Sequence, residues 1–149
     1  MKKLLLILCL CLILIPSAAN AYQLLAITTD WCPICKTFKE ELLPNYNNED
    51  VQLIEVDITR GNSLPPWYRD AYRDGIIKRL YGVPTFILWD DEDKRELVRW
   101  AGYIGEENFY AMLDNALRLA PINRKRCRIH NVCSPWFVSK DLDQPLISP

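Results

Sequence analysis

The chain has 149 residues, of which 18 are basic and 19 acidic, and half are hydrophobic. This near-neutral balance gives no overall attraction to nucleic acid or to an anionic membrane, and the length supports one domain with a real hydrophobic core rather than two. The six cysteines constrain compartment and chemistry more sharply.

Met1-Lys2-Lys3 precedes an unbroken apolar run from Leu4 to Ile15, followed by Pro16-Ser17-Ala18-Ala19-Asn20-Ala21. A basic start, an apolar stretch of about a dozen residues and small residues at Ala19 and Ala21 form the pattern of a secretory signal cut before Tyr22. The run is shorter than the roughly 20 apolar residues of a spanning helix, although an uncut signal would tether the chain. Neither Cys9 nor Cys11 directly follows a cut site, which argues against a lipid-modified terminus. Removing residues 1–21 leaves 128 residues, with 16 basic against 19 acidic and the cysteines Cys32, Cys35, Cys127 and Cys133. The expected location is periplasmic or secreted, where disulfides persist.

Tyr22 to Thr28 is a short, β-compatible apolar run, and Trp31-Cys32-Pro33-Ile34-Cys35 follows at once. Pro33 suits the first turn of a helix, which the sequence continues to Leu43, before Pro44. The cysteine pair is thus expected at a strand-to-helix junction. Val51 to Ile58 alternates and is rich in branched residues, predicting a second strand. After a polar stretch to Pro66, Trp67 to Leu80 reads as helical, with an interruption at Gly75. Tyr81-Gly82-Val83-Pro84 leads into an apolar strand ending at Trp89. Asp90 to Lys94 makes a charged, solvated turn, and Glu96 to Ala101 returns as an antiparallel partner. Glu106 to Leu119 carries Phe109, Met112, Leu113, Ala116 and Leu117 on one face, predicting a last helix. The element order is β-α-β-α-β-β-α. Trp67, Tyr68 and Tyr72 are expected to pack rather than to rim a site, and Trp136 and Phe137 in the tail to cover the body.

A thiol attacks as its thiolate, so a redox cysteine needs stabilisation of the anion and access to solvent. At a helix N-terminus the backbone N–H groups and the helix dipole favour the anion at Cys32. Cys35, one turn further in, is placed to attack a mixed disulfide formed on Cys32. The intervening Pro33 and Ile34 form the active-site turn. Two other readings use the same residues: a static bridge, or half of a zinc site. The zinc site would need a second ligand pair, and only His130, in Cys127-x-x-His130-x-x-Cys133, is available.

With Trp31-Cys32-Pro33-Ile34-Cys35 after one strand and Gly82-Val83-Pro84-Thr85-Phe86 before another, the chain resembles the thioredoxin superfamily from about Tyr22 to Leu119. The resemblance implies an α/β, thioredoxin-like fold: a mixed central sheet with helices on both faces. It also implies that Val83-Pro84 has a cis peptide bond beside the cysteine pair and offers backbone for strand-like pairing with substrate. Trp31 would contribute to the docking surface. Thioredoxins carry a buried Asp six residues before the first cysteine and a Lys on the following strand, which assist proton transfer at the second cysteine. Here Ala26 and Leu53 stand there, so a relay must use water, Glu55 or Asp57. The Cys-Pro-x-Cys centre is more similar to glutaredoxins and exported thiol oxidants. Size, export signal and centre together loosely resemble the periplasmic thioredoxin-like proteins of bacterial sulfur-oxidation clusters, which act as reductants.

The expected organisation is a signal at 1–21, a thioredoxin-like domain at 22–120 and an extension at 121–149. Cys127 and Cys133 in the extension close a short loop as a structural disulfide, or form a second exchange pair favoured by Arg126 and Arg128. The expected function is exported protein thiol-disulfide oxidoreductase, with reduction favoured over oxidation, and no organic cofactor or metal. Partners are cysteine-containing exported proteins and a membrane or soluble thiol donor or acceptor. The rival is a copper-binding or copper-delivery module on the same fold, with His130 as the added ligand.

Overall fold

In a computed structural model, which describes residues 22–61, 64–130 and 136–137, the first strand lies inside the sheet with both faces covered. That is why Tyr22–Thr28 (β1) reads as continuously apolar rather than alternating. Leu24 and Ala26 face one core, Leu25 and Ile27 the other. Helix α1 (Pro33–Glu41) follows, closed by a 3₁₀ turn at Leu43–Asn45. Next come β2 (Gln52–Asp57), α2 (Pro66–Arg73), the pair β3 (Thr85–Asp90) and β4 (Arg95–Ala101), and α3 (Glu106–His130). A two-residue strand, β5 (Trp136–Phe137), ends the described chain.

The strand order is β2-β1-β3-β4-β5. β1 pairs parallel to β2 and antiparallel to β3, and β3 antiparallel to β4, the mixed sheet expected. The backbone of β5 adds in parallel beside β4, which the sequence reading did not anticipate. Phe38 of α1, Leu42 just after it, and Phe109, Leu113 and Ala116 of α3 pack on one face of the sheet. Tyr68 and Ala71 of α2, with Ile77, cover the other. A register shift between Leu88 and Trp89 lets both Leu97 and Val98 join the first core.

Two helix boundaries differ from the sequence reading. The second helix ends at Arg73, at the interruption expected at Gly75, and does not resume toward Leu80. Gly75 takes a left-handed φ of 71°, and the Gly75 and Ile76 amides donate back to the carbonyls of Tyr72 and Ala71. Beyond it, the buried pair Arg99 and Glu96 of β4 captures the backbone: Arg99 donates to the carbonyls of Arg79 and Lys78, and Glu96 accepts the Lys78 amide. These bonds replace the helical ones for that segment. The last helix, by contrast, runs through Pro121 to His130. Proline in a helix interior costs one amide bond and roughly 3 kcal/mol. Tertiary contacts beyond it offset that cost: Asn123 donates to the Leu97 carbonyl, and Arg124 and Arg128 reach the β3–β4 turn. The predicted signal at 1–21 and Cys133 lie outside the described residues, as do the side chains of His130, Trp136 and Phe137.

Candidate active site

β1 ends at Thr28, and a turn through Thr29 delivers Cys32 to the N-cap of α1, with Pro33 in the first turn. The Cys32 Sγ accepts the Cys35 amide at 3.1 Å, so the helix start already aims an N–H at the sulfur. Cys32 and Cys35 are joined as a disulfide, with Cα atoms 5.2 Å apart. Cys35 is fully buried, whereas Cys32 keeps 5% of its surface open to solvent. The two sulfurs are therefore unequal in the sense expected, and the opening at Cys32 is narrow.

The loop before β3 closes against them. Val83-Pro84 has a cis peptide bond, and the Val83 carbonyl oxygen lies 3.5 Å from Cys32 Sγ. Two bonds hold this loop: Thr85 Oγ1 donates to the Gly82 carbonyl at 2.6 Å, and the Gly102 amide donates to the Pro84 carbonyl at 2.8 Å. Gly102 meets that bond with a φ of 86°, open to glycine without strain. Around the pair, Trp31 is 73% exposed and Ile34 48% exposed. Tyr81 and Ile104, which the sequence reading did not single out, stand exposed on the two loops that meet at Pro84. These four apolar side chains are exposed on the segments that carry Cys32 and Pro84.

A polar cluster joins α1 to β2. Lys39 Nζ lies 2.6 Å from Glu55, 3.5 Å from Asp57 and 3.9 Å from Asp30, and the buried Thr28 hydroxyl donates to Glu55 at 2.7 Å. Burial acts to lower the Lys39 pKa, but hydrogen bonds to Glu55 and the charges of Glu55 and Asp57 outweigh it and raise the pKa above its ordinary value. Glu55 and Asp57 were expected near the site; Lys39 was not. Its position four residues after Cys35 was the available signal, since such residues share a helix face.

A family model described as a thioredoxin-like domain matches residues 15–117. The chain belongs to the thioredoxin-like family. Among solved structures, this thioredoxin-like chain is similar to the periplasmic thioredoxin SoxS from Paracoccus pantotrophus in its reduced form. Identity is 26% over 66% of this chain and 98% of that one, with a TM-score of 0.52. It also matches Trxlp from Edwardsiella tarda EIB202 at 21% identity, over 69% of this chain and 85% of that one, with a TM-score of 0.41. StoA from Bacillus subtilis matches at 17% identity, over 64% and 83% of the two chains, with a TM-score of 0.42. No curated protein matches the sequence. Fold, family and the Cys32–Cys35 pair together mark the thioredoxin-like chain as a thiol-disulfide oxidoreductase.

The second cysteine pair is only half visible. Cys127 is buried on α3, and its expected partner Cys133 lies outside the described residues. The copper and zinc readings both need His130, whose side chain lies outside them as well.

Proposed function

We propose that this protein is an exported dithiol reductase of disulfides in partner proteins. The observation that carries the reading is the placement of Cys32 Sγ: it sits at a helix N-cap, on the Cys35 amide, and against the Val83 carbonyl beside an exposed apolar rim. In the reduced chain, the same amide and the helix N-terminus favour the Cys32 thiolate. That thiolate attacks one sulfur of a partner disulfide, forming a mixed disulfide and releasing the partner's other sulfur as a thiolate, which takes a proton. Cys35 then loses its proton and attacks Cys32 Sγ, breaking the mixed disulfide. The partner gains two electrons and two protons as a dithiol, and Cys32 and Cys35 are left oxidised. An external thiol donor, soluble or membrane-bound, resets the pair.

Val83-Pro84 holds the extended substrate backbone, while Trp31 and Ile34 supply apolar contact. Likeness to a periplasmic thioredoxin, with the sequence of residues 1–21, supports action outside the cytosol. The test is a trap. Cys35→Ser leaves the mixed disulfide unresolved, so exported proteins accumulate on Cys32 and are released by reductant. The absence of any conjugate while Cys32 remains alkylatable overturns the reading.

A further inference from the structure

The segment between α2 and β3 carries the Val83-Pro84 loop, yet from Asp74 to Pro84 it has neither helix nor strand, so its backbone groups need partners elsewhere. Thr85 and Gly102 hold the side of the loop that enters β3. The side that arrives from α2 is held by β4. Arg99 pairs with Ile87 and Glu96 with Trp89, so both charged side chains stand on the face that α2 covers, where each is only 2% exposed. Arg99 Nη1 donates to the Arg79 carbonyl at 2.9 Å and Nη2 to the Lys78 carbonyl at 3.1 Å, while Glu96 accepts the Lys78 amide at 3.1 Å. Nε and Nη2 also donate to the Glu96 carboxylate, which fixes the plane of the guanidinium. A buried ion pair seldom stabilises a core better than apolar residues of the same volume would. What apolar residues cannot supply is a rigid fork of donors that spans two successive carbonyls. Between Arg79, held by this fork, and Gly82, held by Thr85, lie only Leu80 and Tyr81. Val83 follows at once, with its carbonyl oxygen 3.5 Å from Cys32 Sγ.

We propose that Arg99, oriented by Glu96, is a positioning residue for substrate: it holds the entrance of the Val83-Pro84 loop so that the Val83 backbone pairs with an extended peptide beside Cys32. The proposal rests on the exchange reading above and adds a specificity to it. A disulfide carried on a peptide chain uses the loop; a small disulfide with no backbone meets Cys32 without it. Loosening the fork therefore weakens the first encounter and spares the second. Arg99 acts on the backbone of the loop, not on either sulfur, so its contribution lies in binding and alignment rather than in the electron steps.

Insulin supplies peptide-borne disulfides, and 5,5′-dithiobis(2-nitrobenzoate) a compact one. Insulin reduction is followed at varied insulin concentration, with dithiothreitol resetting the cysteine pair, and the compact disulfide reports attack by Cys32 in the reduced protein directly. In Arg99→Lys, whose single ammonium cannot span both carbonyls and the carboxylate, KM for insulin rises about fivefold or more, whereas kcat and the rate with the compact disulfide stay within about threefold. Arg99→Met with Glu96→Leu, which fills the core without the ion pair, shows the same split and serves if Arg99→Lys unfolds. Arg124→Ala, which loosens the far hairpin, leaves KM at the wild-type value and so separates loop positioning from a general loss of stability. An insulin KM at the wild-type value in the folded Arg99 variants, an equal loss with both disulfides, or the same rise in Arg124→Ala overturns the proposal. If the wild-type protein does not reduce insulin, the exchange reading falls, and the positioning role with it.

Discussion

At Asp57 the opposing contributions to a carboxyl's charge are all visible. Partial burial raises its pKa, and hydrogen bonds from the Thr59 side chain and backbone, with the Lys39 ammonium, lower it to about 2. A carboxyl depressed by folding adds stability that is complete above its unfolded pKa, near 4, and is lost as pH falls toward 2. Asp57→Asn should therefore narrow its stability gap to wild type between about pH 5 and pH 2, read as urea midpoints of the oxidised protein. The gap above pH 5 should stay below about 1 kcal/mol, because the Asp57 side chain is 37% exposed and water screens it. A gap that does not change with pH would mean that Asp57 contributes through packing alone. The cysteines differ at the same scale: the Pro33 helix start made Cys32 and Cys35 unequal in the sequence, and their exposures of 5% and 0% follow that order.

Among the elements, the C-terminal half of α3 is a clamp on the β3–β4 hairpin. The acidic turn after Trp89 reads in the sequence as a solvated loop, yet Asp90 is fully buried and Arg124 grips it through two nitrogens, at 2.6 and 2.7 Å. Arg128 takes Asp93 in the same way, at 2.8 and 3.0 Å. Arg124→Ala should cost about 3 kcal/mol in denaturant titration, since it removes the guanidinium from a buried carboxylate that also accepts the backbone amides of Glu92 and Asp93. Arg124→Ala with Asp90→Asn should recover a large part of the loss; a double variant no more stable than the single one would mean the ion pair is not the source. The hairpin and the arginines were each legible, but their pairing was not, because Pro121 marks a helix stop and only contacts some 30 residues away in sequence carry α3 past it.

Across the whole molecule, one aromatic core ties the active-site helix to the sheet and to α3. Phe38, three residues after Cys35, lies with ring centroids 5.0 Å from Phe86, 5.7 Å from Tyr103 and 6.2 Å from Phe109. Phe38→Ala should lower stability by about 3–5 kcal/mol in urea unfolding, the usual cost of an unfilled aromatic cavity. A loss under 1 kcal/mol would show that the core collapses around the gap. On the opposite face, the buried Arg99 and Glu96 do a comparable task with hydrogen bonds, tying the segment at Lys78 and Arg79 to the sheet just ahead of Val83-Pro84.

The chain's own pattern was enough to determine the strand order in sequence, the strand-to-helix setting of Cys32-Pro33-Ile34-Cys35 and the proline loop at Val83-Pro84. Each is a local signal: apolar periodicity, a proline at a helix start, turn residues between strands. Gly75 marked the stop of α2 locally, and tertiary structure decided that no helix resumes beyond it and how far α3 runs, because the buried pair on β4 and the acidic hairpin outbid local propensity. It also decided that Thr28, Lys39 and Glu55 meet beside Ala26. No periodicity brings together residues from two strands and a helix; the parallel register of β1 with β2 and one turn of α1 do so.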